Sequence, residues 1–173
     1  MSVRGASRGV GWRAAYLAAA VGIYLVDQSS KAWAVRRLRL REPLVVVERF
    51  LYFGYAENTG VAFGQLREGG AFGRWFLAGL AVAALVAVLV YFFRVPRSDD
   101  RTLGALALLL AGIAGNLTDR VRLGHVVDFI EVHLGSFQWP TFNVADSAIC
   151  VGAVLLAFDI ITEGKRKAVT SDK

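Results

Sequence analysis

Asp128 and Asp146 stand 18 positions apart, too far to share one helical turn. Different elements supply them across one short loop, so the chain can bring them face to face. Two close carboxylates do not both ionise readily, and one keeps a proton that the other lacks. Such a pair can deprotonate a water and protonate the leaving amine of a peptide bond. Aspartyl peptide hydrolysis is therefore the chemistry these residues suggest. Taken singly, Asp128 reads equally well as a loop acid at a strand turn. Asp146 reads equally well as a first-turn acid that a helix dipole favours, with Asn143 three residues earlier as the cap.

Other chemistries find less material. There is no H-E-x-x-H for a zinc protease and no G-x-S-x-G for a serine hydrolase. Ser29 and Ser30 adjoin Lys31, but adjacent residues on a helix point in different directions. The single Cys, Cys150, excludes a disulfide scaffold and any multi-cysteine metal site. It reads as a buried, apolar-like side chain. His125 and His133 read as surface or strand residues, and no metal is expected.

The elements that must position these groups follow from composition. The chain has 173 residues, of which 55% are hydrophobic, and a mean hydropathy of +0.48. That is too apolar for a disordered chain or an ordinary soluble domain. The net charge is +6. In a soluble protein this would suggest nucleic acid; here anionic lipid headgroups are the better partner, and nucleic acid is not expected. The length admits one domain.

Four segments are apolar enough to suggest spans of about 20 residues each: about 14–35, 75–93, 102–118 and 141–161. The first is interrupted by Asp27 and Lys31, the last by Asp146 and Asp159. Segments of about 36–74 and 119–140 then share one side. Ten Lys and Arg lie in the segments that an inside N-terminus makes cytoplasmic and nine in the outer ones. The ten sit in shorter segments, so both termini read as cytoplasmic. Arg4, Arg8 and Arg13 before an apolar run, with Ala32-Trp33-Ala34 after it, imitate a signal peptide. The run is longer than such a segment needs.

Leu44–Val47 and Phe50–Phe53 are β-branched or aromatic and too short to span. Ile130–Leu134 alternates like a half-exposed strand. A small sheet at the membrane surface would fit. Gly164–Lys173 reads as a solvated tail. Gly54 and Gly69-Gly70 would permit the 36–74 segment to move as a lid. Trp12, Trp33, Trp75 and Trp139 fall near span ends, as an aromatic belt places them.

In an up-down-up-down bundle, Asp27, Lys31, Asn58, Asn116, Asp119, Arg120, Asp128, Asn143 and Asp146 all fall on one side. Ionisable residues within spans are costly and mark function. Their gathering at one face argues against a channel, which needs polar groups through its depth. Asp27 and Lys31, at i and i+4, read plainly as an intrahelical ion pair. Asp119 and Arg120 do not face each other, so each needs another partner. Asn58-Thr59-Gly60 is a turn signal, and Asn116 suits an interhelical hydrogen bond. Asp159, about 19 Å along the helix from Asp146, belongs to the opposite face.

Asp27-Gln-Ser-Ser-Lys31, Asn58-Thr-Gly-Val-Ala-Phe-Gly64, Gly115-Asn116-Leu-Thr-Asp119-Arg120, Val126-Val-Asp128-Phe and Phe142-Asn143-Val-Ala-Asp146-Ser147 occur in that order. Together, over about residues 14–162, they resemble the bacterial lipoprotein signal peptidases, signal peptidase II. The resemblance implies an all-α membrane protein of four transmembrane helices with a small extracytoplasmic β-cradle and a loop or short helix. It implies cleavage of diacylglyceryl-modified prolipoproteins just before the lipidated Cys, without metal or cofactor, and inhibition by globomycin-type peptides. It makes Asp128 and Asp146 the catalytic dyad. Asn58, Asn116, Arg120 and Asn143 would position substrate or dyad, and Asp27 and Lys31 would have a structural or substrate-supporting role. The expected setting is the cytoplasmic (inner) membrane, with the site at its outer face, membrane lipids around it and a monomer as the working unit. The alternative is a small membrane binding or transport protein that uses the polar pocket for a lipid or cation.

Overall fold

The computed structural model describes residues 11–60, 70–96 and 98–171, with side chains over 11–60, 72–96 and 98–162. Arg4, Arg8, Gly64, Gly69 and Lys173, used in the sequence reading, lie outside the described residues, as does Arg97. Four helices and four strands follow one another: α1 Gly11–Arg37, β1 Leu44–Val47, β2 Leu51–Asn58, α2 Gly70–Arg94, α3 Asp100–Arg122, β3 Val126–Leu134, β4 Phe137–Gln138 and α4 Val144–Ser171.

Among the described residues, three helices are long and apolar enough to cross a membrane: Phe72–Arg94, Asp100–Arg122 and Val144–Thr162. The 27-residue α1 is as long, but Asp27, Gln28 and Lys31 dilute its apolar character and it falls outside that set. It runs unbroken through Ala32-Trp33-Ala34, with Ala34 fully buried. At its far end α4 continues to Ser171. The helix-forming Glu163, Lys165, Arg166 and Lys167 carry it through the stretch the sequence reads as a tail.

The central helix is α3, which packs against α1, α2 and α4. Its start is capped by Asp99, whose carboxylate accepts from the Thr102 N–H at 3.1 Å. Its end turns at Gly124, whose φ of +87° suits glycine, and the chain enters β3 directly. The α3–α4 seam is close because glycines line it. A Cβ at Gly152 would lie 2.8 Å from the Ala105 carbonyl, and one at Gly112 would strike the Ala145 carbonyl.

The sheet is antiparallel in the order β1-β2-β3-β4. Opposite β2, Ala56 pairs with Asp128 and Asn58 with Val126. Asp128 therefore lies within a strand and not on a loop. Val126, Val127, Asp128 and Phe129 are all buried, so this half of β3 lacks the alternation seen in its exposed half.

Two apolar clusters bracket the polar residues. One gathers Phe92, Val95, Leu103, Leu106 and Leu110 from α2, the turn after it and α3. The other gathers Ala34 and Leu38 at the end of α1 with Val127 and Phe129 of β3. Trp33 packs into this second cluster, edge-on to Phe53 at 5.7 Å and Phe129 at 6.3 Å. It is thus a packing residue, not a belt residue, while Trp12, Trp75 and Trp139 are exposed.

Cys150 is exposed. The face of α4 that meets α3 is taken by Ala145, Ile149 and Gly152, and Cys150 lies outside it. Gly54 is buried inside β2. A Cβ there would collide with the end of the Glu131 side chain.

Candidate active site

Each polar residue at this end of the bundle reaches its place through a local rule. The β2–β3 register sets Asn58 diagonally across from Asp128 on the same face. The Asn58 side-chain nitrogen donates to Asp128 Oδ2 at 2.9 Å. Its oxygen accepts from the Gly60 N–H at 2.8 Å, which closes the turn read in the sequence and fixes the amide's orientation.

Asn143 caps α4. Its side-chain oxygen accepts from the Asp146 N–H at 2.8 Å. Its side-chain nitrogen donates to Asp128 Oδ1 at 2.6 Å, and lies 3.3 Å from both the Val127 carbonyl and Asn116 Oδ1. One asparagine thus touches both acidic residues, the side chain of Asp128 and the backbone of Asp146. Asp146 occupies the first turn of α4, where the helix dipole favours negative charge. Its Oδ1 accepts from the Asn116 side-chain nitrogen at 2.7 Å.

Behind the two amides lies a buried ion cluster. Lys31 Nζ is 3.0 Å from Asp27, 2.9 Å from Asp119 and 3.0 Å from Asn116 Oδ1. Its three N–H groups therefore have three partners. The intrahelical pair of Asp27 and Lys31 is present, and a carboxylate from α3 completes it. Asp27 also accepts from the Ala145 N–H at 2.8 Å, so α1 helps to cap α4. Asp119 accepts from the Val127 N–H at 3.2 Å and ties α3 to β3. Gln28 donates to Asp27 at 3.1 Å and Asp119 at 3.2 Å.

Arg120 is half-buried. It donates to the Asn116 carbonyl at 3.5 Å, and it lies close enough to Asp146, Asp128 and Asp119 to feel their charge. Its Nε is buried without a hydrogen-bond partner among the described residues. With Asn116 it lines a groove of about 250 Å³ whose other walls include Leu77, Leu80, Ile113 and Ile149. The groove leads from the polar cluster along apolar faces of α2, α3 and α4.

Asp128 is 2% exposed. Burial pushes its carboxyl up to about 6, and the nearby Asp146 charge pushes the same way. The Asn58 and Asn143 hydrogen bonds and Lys31 oppose the shift without cancelling it. A carboxyl in that range can both hold and release a proton near neutrality.

All nine residues gathered on one side in the sequence reading meet at this end: Asp27, Lys31, Asn58, Asn116, Asp119, Arg120, Asp128, Asn143 and Asp146. Asp159 is at the other end, accepting from Thr102 Oγ1 at the start of α3 at 3.1 Å. Sequence reasoning gave no role to Gln28 and found no partner for Asp119. A polar residue beside Asp27 was the only signal for Gln28. Among the described residues no three His, Cys, Asp or Glu side chains are grouped to hold a metal ion.

Comparison with known proteins identifies the family. The family model described as signal peptidase (SPase) II matches residues 19–162. The lipoprotein signal peptidase of Pseudomonas syringae pv. tomato is 42% identical over 161 residues, covering 92% of this chain and 93% of that protein. The lipoprotein signal peptidase of Cellvibrio japonicus is 44% identical over 145 residues, covering 84% of each chain. A solved bacterial membrane enzyme superposes with a TM-score of 0.75 at 27% identity, covering 91% of this chain and 92% of that one. A second such structure has the same TM-score at 28% identity.

Proposed function

The chain belongs to the signal peptidase II family, and from that premise we propose an aspartyl endopeptidase whose dyad is Asp128 and Asp146. Its substrates are prolipoproteins that carry a diacylglyceryl-modified Cys, cut just before that Cys. The observation that carries the reading is Asn143, which holds Asp128 through its nitrogen and the Asp146 backbone through its oxygen. Two acidic residues from separate elements are thus linked by one buried side chain.

The chemistry runs as follows. Asp128, pushed up to about 6, holds the proton of the pair, and Asp146, at the N-terminus of α4, acts as the base. Asp146 draws a proton from water as the oxygen attacks the carbonyl of the residue before the lipidated Cys. The Asp128 proton polarises that carbonyl oxygen. The tetrahedral species then collapses, and its leaving nitrogen is protonated by the acid that received the water's proton. Asn58, Asn116 and Asn143 hold the carboxylates in place. Arg120, with its spare N–H, positions a carbonyl group of the bound substrate.

All four helices span the inner membrane in this reading, as one membrane domain working as a monomer. Both termini are cytoplasmic and the dyad faces outward. The polar cluster in α1 explains its lower apolar content, since Asp27 and Lys31 are spent inside the bundle on each other and on α3 and α4. The substrate's acyl chains stay in the bilayer, and the groove beside Asn116 and Arg120 admits the segment next to the scissile bond. Globomycin-type peptides compete for the same place.

The test is a lipidated precursor peptide and its unlipidated twin, each mixed with purified protein. A size shift for the lipidated form alone is expected. No cleavage of either, with binding of lipid or a cation instead, would favour the binding-protein alternative.

A further inference from the structure

Among the described residues the buried ion cluster is hydrogen-bonded to the proposed dyad through Asn116, and that contact has a direction. An asparagine side chain can present either its carbonyl or its amino group to a neighbour. Facing Asp146, the carbonyl would set two acceptors against each other, whereas the amino group donates. The Asn116 nitrogen lies 2.7 Å from Asp146 Oδ1, and the oxygen on the other side lies 3.0 Å from Lys31 Nζ. Lys31 has no acceptor of its own, so it tolerates only the carbonyl of Asn116.

We propose that Lys31 is a positioning residue that fixes the Asn116 amide with its N–H toward Asp146, and that Asp27 and Asp119 serve to hold Lys31 there. The proposal rests on the Asp128–Asp146 reading and adds to it a reason for a buried cation. Lys31 is 3% exposed, a costly place for a charge unless it is paired. Both carboxylates lie within 3.0 Å of it. Gln28, donating to both Asp27 and Asp119, spaces the two acids around the cation. The cluster ties together four elements, α1, α3, α4 and β3, since Asp27 also holds the Ala145 N–H of α4 and Asp119 the Val127 N–H of β3. A shift of any of the four would turn the amide that Asp146 depends on.

Two variants test this. Lys31→Met with Asp119→Asn removes the cation and one acid together, so the net charge of the cluster is unchanged and no second carboxylate is left unpaired. This protein is expected to insert and fold, with a lower melting temperature because the buried Asp27 carboxylate loses its cation, and with kcat lowered about 30-fold or more and KM within about 3-fold. Wild-type kcat in this folded variant would overturn the proposal.

Asn116→Asp keeps an acceptor for Lys31 but replaces the N–H facing Asp146 by a carboxyl, which donates only when protonated. The charged groups facing that position are Lys31, Asp146, Arg120 and Asp128, with Asn143 as a neutral neighbour. Turnover is expected to fall about 100-fold at neutral pH and to recover partly on the acid side. A wild-type rate and pH profile would also overturn the proposal, and this arm decides it should the double variant fail to insert. Asp146→Asn separates the two levels. If it still cleaves, the dyad reading has failed; if it is inactive while Lys31→Met with Asp119→Asn keeps full kcat, only the positioning role has failed.

Discussion

The Asn143 side-chain nitrogen donates to Asp128 at 2.6 Å from a residue with no exposure to solvent. The same side chain caps α4 by accepting from the Asp146 N–H. Asn143→Ala therefore removes a helix cap and a donor to a buried carboxyl in one step. Loss of the cap alone costs about 1–2 kcal/mol. Thermal unfolding in detergent is expected to show that loss, and turnover to fall about 100-fold. An unchanged melting temperature would remove Asn143 from the account.

The Asp128 carboxyl makes stability depend on pH with a definite sign. Its value is raised from 3.8 to about 6, so the folded state binds the proton more tightly than the unfolded chain does. Its proton-linked stabilisation is fully present below about 4 and is lost as pH rises through about 6, a total swing of up to about 3 kcal/mol. Asp128→Asn, which cannot ionise, is thus expected to be more stable than wild type at pH 8, by about 1–3 kcal/mol, and to lose that advantage at pH 4. Equal differences at both pH values would contradict this.

The same shift sets the expected rate profile. If Asp128 carries the proton, kcat/KM for the free enzyme falls as pH rises above about 6. A profile flat from pH 5 to pH 9 would take the proton-holding role away from it.

The spans were legible because long uncharged runs leave little choice. The readings 75–93 and 102–118 lie inside α2 Gly70–Arg94 and α3 Asp100–Arg122. Alternation showed the outer part of β3, but not Val126–Phe129, which is buried on both faces and has no period to read. The extension of β2 through Gly54–Asn58 was hidden because small and polar residues there are chosen by register and not by hydropathy. The site residues were legible as a gathering at one face. Their pairing was not, because Lys31 finds Asp119 and Asn116 only once α1 and α3 have packed. Burial of Cys150 was expected from its residue type alone, which does not tell the α3-facing side of α4 from the outer one.

Packing around the cluster gives a prediction free of the chemistry. A Cβ at Gly115 would lie 2.5 Å from Asp27 Oδ2, whereas one at Gly22 meets nothing within 4 Å. Gly115→Ala is expected to displace Asp27 and destabilise the protein by about 1–3 kcal/mol. Gly22→Ala is expected to be neutral or stabilising by up to about 1 kcal/mol, as helix propensity favours Ala. Unfolding curves of the two variants compare them directly; equal behaviour would contradict the close fit of α1 on α3.

Cleavage of a lipidated precursor peptide by wild type, Asp128→Asn and Asp146→Asn, each purified and shown to be folded, tests the central claim most directly. The account predicts cleavage by wild type and none detectable by either variant. Substantial turnover by either one would contradict it.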